Sequence, residues 1–224
     1  MKIILFGATG DVGSATLREA VSRGHHVTAV ARDTSRLGPL PTGVNALSLD
    51  LLGKPDAAAD AAAGHDLVIS ALRPAAGHED ELVPLTRAAL NAAASAGIPA
   101  LITGGAALLK LADGSGHTVL SAPDFLPDAV RPIAQACADQ DALLEQDTAA
   151  TWTCLRPPAM LLPGPRTGHY EFGTDTLVTD AEGQSQITYA DFAVAMLDLA
   201  EAPQVARRRL TAAWTAPAPA MQPG

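Results

Sequence analysis

The chain is short of the groups on which several kinds of protein depend. It has two cysteines, Cys137 and Cys154, in 224 residues. That is too few for a disulfide scaffold, and both are expected as reduced thiols packed like small apolar side chains. No apolar run reaches the roughly 18 residues of a membrane span, because Gly, Pro or a charge interrupts each one. The opening Ile3-Ile4-Leu5-Phe6 stops at Gly7, too short for the core of a signal peptide. Positive charge is scarce as well: 15 Lys and Arg stand against 24 Asp and Glu, a net charge of −9. Such a chain repels a phosphate backbone, so nucleic acid is excluded as a direct partner. His25-His26 has no carboxylate or thiol at ligand spacing, and no metal site is expected. These absences leave a cytoplasmic protein, monomer or homodimer, that acts on a small molecule without a membrane.

What is present is 48% hydrophobic residues and only 4% aromatic, with alanine abundant, so helices should pack closely on a sheet through small side chains. Short apolar runs alternate with helical patterns, the signature of βαβ units and a parallel sheet. Strands are expected at Lys2–Phe6, Val27–Ala31, Ala46–Leu49, Leu67–Ser70 and Ala100–Thr103, with helices near 11–23, 54–63 and 78–97. Gly24, Gly64 and Gly97 stand at the helix C-caps. A helix over 132–147 and a strand at Trp152–Arg156 follow, ended by Pro157-Pro158. The stretch 157–188 reads as loop with short strand pieces, before a helix at Asp191–Ala200 and a strand at Arg209–Ala213. The expectation is one α/β domain over 1–214 and a disordered tail over 215–224.

The strongest motif is Gly7-Ala8-Thr9-Gly10-Asp11-Val12-Gly13, directly after the first strand and opening the first helix. A diphosphate needs backbone N–H groups aimed at it, no Cβ in the way and the positive end of a helix dipole. Gly7 permits the turn, Gly10 the close approach and Gly13 tight packing of helix on strand. An acid at the end of the second strand would bind the 2′-hydroxyl of NAD. That place holds Arg32, with Arg36 in the next turn, and a guanidinium suits a 2′-phosphate. NADPH is therefore expected rather than NADH.

The Gly-Ala-Thr-Gly-Asp-Val-Gly loop, Arg32, Asp50-Leu51, Ser70-Ala71-Leu72, Thr103-Gly104-Gly105-Ala106 and Arg166-Thr167-Gly168-His169-Tyr170 together resemble the atypical short-chain dehydrogenase/reductase superfamily. More narrowly, they are similar to its NmrA-like, NAD(P)H-binding branch, which includes NADH-flavin reductases and is related to biliverdin/flavin reductases. The resemblance runs from Met1 to about Trp214. It implies a Rossmann-type, doubly wound parallel sheet of seven or eight strands, helices on both faces and a small C-terminal substrate lobe made of loops. It also implies that Asp50 and Leu51 contact the adenine, that Ser70, Ala71 and Leu72 line the nicotinamide-side ribose, and that Thr103, Gly104 and Gly105 border the nicotinamide.

The chain departs from the superfamily in its acid. Typical members use Tyr-x-x-x-Lys for proton transfer; here the only tyrosines are Tyr170 and Tyr189, followed four positions on by Thr174 and Ala193. Three readings stay open. One is an NADPH-dependent reductase of a flavin, quinone or similar conjugated acceptor, whose anion can wait for solvent. The second is a non-catalytic NADP(H) sensor of NmrA type. The third is an epimerase, dehydratase or carbonyl reductase acting on a specialised metabolite. The long connections 104–131 and 157–175 are the candidate substrate-side elements. Within them His117 and Tyr170 are candidate proton donors, Tyr170 is also a candidate ring-stacking residue, and Arg166 is a candidate anion clamp with Glu171 or Asp175 as its alternative partner.

Overall fold

Hydrophobic alternation and helical periodicity resolve into βαβ units in the computed structural model, which describes residues 1–146, 149–203 and 207–215. The first half runs β1 (Lys2–Phe6), α1 (Asp11–Ser22), β2 (His26–Ala31), β3 (Val44–Ser48), α2 (Pro55–Ala62), β4 (Leu67–Ser70), α3 (Leu82–Ala96) and β5 (Ala100–Thr103). Then follow α4 (Arg131–Glu145), β6 (Trp152–Arg156), β7 (Met160–Leu162), β8 (Glu171–Gly173), β9 (Gln186–Thr188), α5 (Tyr189–Glu201) and β10 (Arg208–Ala213). The tail expected to be disordered lies, from residue 216, outside the described residues.

Eight strands form one sheet in the order β3-β2-β1-β4-β5-β6-β10-β8, and β7 pairs with β9 beside it. Strands β1 to β6 and β10 run parallel, whereas β8 lies antiparallel to β10 at the edge. The sheet is thus not wholly parallel; a short antiparallel edge strand is a common addition to such sheets.

Successive side chains of β1 point to opposite faces, and both faces are covered. Ile3 and Leu5 enter the cluster built with α1 and α5, while Ile4 and Phe6 enter the cluster built with α2, α3 and α4. Small residues let the helices approach: Ala20 and Ala195 on one face, Ala58, Ala89 and Ala93 on the other, are all buried. Trp152 is buried in the second cluster, as core. Winding reverses between β1 and β4, which leaves a crevice at the carboxyl ends of those strands, the usual ligand position in an open α/β sheet.

Helix α5 begins two residues before its expected start because Thr188 caps it: the Thr188 hydroxyl accepts a hydrogen bond from Asp191 N at 3.0 Å. The stretch 104–131, expected to be long and irregular, is held by a small core of its own. Leu109 and Val119 pack there with Leu177 from the segment after β8. Backbone hydrogen bonds Lys110 N to Asp175 O (2.8 Å) and Leu177 N to Lys110 O (2.9 Å) join the two loops into one lobe. Among the described residues, no helix is long and apolar enough to cross a membrane.

Candidate functional site

The loop after β1 is shaped by three glycines that do different work. Gly7 adopts φ +83°, and a Cβ there would meet the Ala71 carbonyl oxygen at 2.6 Å. A Cβ on Gly13 would overlap the Gly7 carbonyl oxygen. Both positions are demanded by the protein's own packing. Gly10 is not: it has φ −80° and ψ 170°, extended backbone open to any residue, and the nearest protein atom to a built Cβ is Gly7 O at 3.6 Å. A glycine here makes sense when something from outside must come close to the backbone. Gly10 is also the N-cap of α1 and supplies no side-chain cap, so the N–H groups of the first helical turn face outward with the positive end of the dipole. The residues present therefore fit a dinucleotide diphosphate.

The other expected cofactor residues gather around this loop at strand carboxyl ends. Arg32 follows β2 directly, and its carbonyl accepts from Ser48 Oγ at 3.1 Å. Arg36 lies in the single 3₁₀ turn Thr34–Leu37 that replaces a helix between β2 and β3. Both arginines are exposed and make no ion pair among the described residues. A groove of about 430 Å³ opens there, between α1 and the 36–41 segment, with Thr9, Ser14, Arg18 and Arg36 on its walls. Asp50 is exposed and accepts from Leu52 N at 3.2 Å, whereas Leu51 is buried in the core. Ser70 is buried at the end of β4, and Ala71 N donates to Phe6 O at 2.9 Å, which ties the ends of β4 and β1 together.

At the end of β5, Thr103 O accepts from Gln140 Nε2 at 3.3 Å, while the buried Thr103 Oγ1 has no partner among the described residues. A Cβ on Gly105 would collide with Cys137 of α4. Burial pushes the Cys137 thiol up to about 11, so it remains protonated at neutral pH and is not a nucleophile. Tyr189, the first residue of α5, stands on the same side as the loop. Burial, and next the neighbouring Asp11 carboxylate, raise its phenol above the ordinary value of 10.

Arg166 and Tyr170 require a correction. Arg166 does not pair with Glu171 or Asp175; its guanidinium grips Glu19 of α1 with Nε to Oε2 at 2.7 Å and Nη2 to Oε1 at 2.9 Å. The Tyr170 hydroxyl donates to Asp198 near the end of α5, and Arg23 at the end of α1 reaches the same carboxylate at 2.7 Å. Helices α1 and α5 run side by side, with Asp11 near Tyr189 at one end and Arg23 near Asp198 at the other, so Tyr170 is drawn toward the end remote from the phosphate loop. The Thr167-Gly168 pair between them is held by Asp191, which is fully buried and accepts from Thr167 N (2.7 Å), Thr167 Oγ1 (2.5 Å), Gly168 N (2.8 Å) and Trp214 Nε1 (2.8 Å). This segment is a latch onto two helices. His117 lies exposed on the 104–131 loop, where its N–H donates to Ser115 Oγ at 3.2 Å.

Glu19 is 5% exposed, and the Arg166 hydrogen bond holds its carboxyl below the ordinary 4.5 against the opposing effect of burial, with Arg23 adding to the lowering. A carboxylate with a depressed folded-state pKa stabilises the fold above its unfolded value and loses that contribution as the pH falls through its folded value. Denaturant unfolding from pH 7 downward should therefore show stability falling below about pH 4.5. Arg166→Gln should cost about 1 kcal/mol or less at pH 7, since its guanidinium is half exposed and screened and Arg23 remains on Glu19, and should flatten this acid slope. An unchanged slope would mean that Glu19 is not the titrating group.

Sequence reasoning missed Glu19, Asp191, Tyr189 and Arg156. For Asp191 there was a signal, since Thr188-x-x-Asp191 opens a helix in the manner of a capping box. For Arg156 the signal was a charge ending an otherwise uncharged central strand.

The geometry agrees with what the chain is similar to. A family profile described as NAD(P)H-binding matches residues 7–203. The uncharacterised protein YwnB of Bacillus subtilis is 33% identical over 213 residues, which cover 94% of this chain and 97% of YwnB. Among solved structures, a proposed epimerase of Bacteroides thetaiotaomicron is 31% identical with a TM-score of 0.86, covering 96% of this chain and 97% of that one. A proposed NADH-flavin reductase of Streptococcus pneumoniae is 28% identical with a TM-score of 0.84, covering 96% of this chain and 100% of that one.

Proposed function

Because the chain belongs to the NAD(P)H-binding family, we propose that it is an NADPH-dependent oxidoreductase whose acceptor is a flavin, a quinone or a similar conjugated ring. The observation that carries the reading is Gly10, a glycine the fold does not need, at the uncapped start of α1. In this reading the N–H groups of Asp11, Val12 and Gly13 hold the diphosphate, assisted by Thr9, and Gly10, whose own N–H donates to Gly7 O at 3.1 Å, lets it come close. Arg32 and Arg36 take the 2′-phosphate, for which two unpaired guanidiniums are suited. Asp50 and Leu51 lie on the adenine side, Ser70, Ala71 and Leu72 beside the second ribose, and Thr103, Gly104 and Gly105 at the reacting ring. NADPH, when bound, supplies two electrons as a hydride.

The acceptor class follows from the proton inventory. Tyr170 is committed to Asp198 and Cys137 is a half-buried, protonated thiol. His117 sits on an exposed loop, and Tyr189, beside Asp11, is a phenol raised above its ordinary value with no lysine four residues on to lower it. A conjugated acceptor spreads its new charge and takes its proton from water, so the protein has chiefly to orient two rings and keep the site dry. The reductase activity proposed for the Streptococcus neighbour supports this reading.

Purified protein should oxidise NADPH when given a free flavin or a small quinone and leave simple aldehydes and ketones untouched, since a missing general acid is worth about 10²–10⁴-fold on an isolated carbonyl. Turnover of a simple ketone that survives His117→Ala would contradict this. NADPH bound tightly but never consumed would favour the sensor role. An epimerase, as proposed for the Bacteroides neighbour, would turn over a sugar-like substrate without net consumption of NADPH.

A further inference from the structure

Arg156 ends β6 at the carboxyl edge of the sheet, and it is 4% exposed. Side chains alternate along a strand, so Arg156 shares the face of Cys154, which packs with α4. The glycine beside it gives the same answer: a Cβ on Gly104 would meet both Cys154 Sγ at 2.7 Å and Arg156 Cγ at 3.1 Å. The arginine stem thus runs directly under Gly104, the position assigned above to the reacting ring, on the same face as Cys137 and the start of the substrate lobe.

Its charge is poorly matched. Nη2 donates to Thr174 O at 2.5 Å and to Asp175 Oδ1 at 3.2 Å. Nε is buried and has no partner among the described residues. The carboxylate opposite is 73% exposed, so it is largely solvated and neutralises the guanidinium weakly. A buried cation is stable only when paired and fully hydrogen-bonded. Arginine offers Nε and Nη2 as one flat edge that fits two oxygens of a carboxylate, phosphate or sulfonate together. One carboxylate oxygen on Nη2, beside the Thr174 carbonyl, and none on Nε is half of that arrangement. The backbone of Asp175 is pinned to Lys110, but its exposed side chain can give way to another anion that pairs the guanidinium in its place.

We propose that Arg156 is the anion receptor of the acceptor site. It selects acceptors whose ring carries a carboxylate or similar oxyanion, and Asp175 holds that place until the acceptor displaces it. The proposal rests on the reading that the acceptor lies over Gly104.

The test is equilibrium binding of 2-naphthoate and its neutral isostere 2-naphthamide to protein saturated with NADP⁺, which keeps Arg32 and Arg36 from serving as the anion site. Naphthoate should bind roughly tenfold tighter than the amide. Asp175→Asn should tighten naphthoate several-fold and leave the amide unchanged, and Arg156→Gln should bring naphthoate down to the level of the amide. Should Arg156→Gln fail to fold, the Asp175→Asn comparison decides alone. Equal binding of the two probes, no binding of naphthoate, or no charge-specific gain in Asp175→Asn would each overturn the proposal. Charge-selective binding without NADPH oxidation would sink the reductase reading and keep Arg156; NADPH oxidation with equal binding of the probes would do the reverse.

Discussion

Gly10→Val is expected to weaken binding of NADPH and NADH alike by roughly a hundredfold or more, while the protein stays folded. The two halves of this expectation come from the same geometry. Valine can adopt φ −80° and ψ 170°, and its Cβ would stand 3.6 Å from the nearest protein atom, an ordinary contact. The fold has no objection to it. The added methyl groups would instead project over the uncapped N–H groups of α1, where a diphosphate must come within hydrogen-bonding distance. Gly7 and Gly13 make the contrast: even alanine there would strike the Ala71 or Gly7 carbonyl, and loss of binding would be confounded with loss of the fold. Thermal melts by circular dichroism and cofactor titration on the same sample check both halves. Binding retained by folded Gly10→Val would remove the diphosphate from this loop.

Much of this geometry is legible in the amino-acid sequence, because it is local. Strand, glycine turn and helix follow one another within the first 22 residues, and each glycine has a steric reason that spacing alone conveys. The first strand and the end of α3 are legible for the same reason, from alternation and from Gly97 at a left-handed cap, whereas β3 starts two residues before its expected place and α3 four residues after. The latch is not. Arg166 finds Glu19 across 147 positions of sequence, and Tyr170 finds Asp198 because α5 happens to lie along α1. Which carboxylate a loop arginine meets depends on where the loop returns to the sheet, and nothing in the nearby residues encodes that. Proximity in sequence suggests Glu171 and Asp175, whereas Asp175 is taken by Arg156. The antiparallel edge strand β8 is hidden likewise: three residues, Glu171 to Gly173, carry too little pattern to distinguish a strand from loop, and only pairing with β10 defines it.

The proposed choice of NADPH rests on Arg32 and Arg36, two exposed guanidiniums without an ion pair among the described residues, at the end of β2 and in the turn after it. At a separation of about 4 Å a charge pair near a surface is worth about 1–4 kcal/mol, and Arg32→Asp both removes that attraction and replaces it with repulsion. NADPH binding should weaken by well over tenfold, about 1.4 kcal/mol or more, while NADH, which has a hydroxyl in place of the phosphate, should bind the variant nearly as it binds the parent. Raising the ionic strength should erode NADPH binding to the parent more than NADH binding, since the attraction is exposed and screened. The decisive measurement is direct titration of the parent and of Arg32→Asp with both cofactors. The expected result is a strong preference of the parent for NADPH that Arg32→Asp abolishes. Equal affinities in the parent, or an equal loss of both cofactors in the variant, would mean that Arg32 does not stand at the ribose.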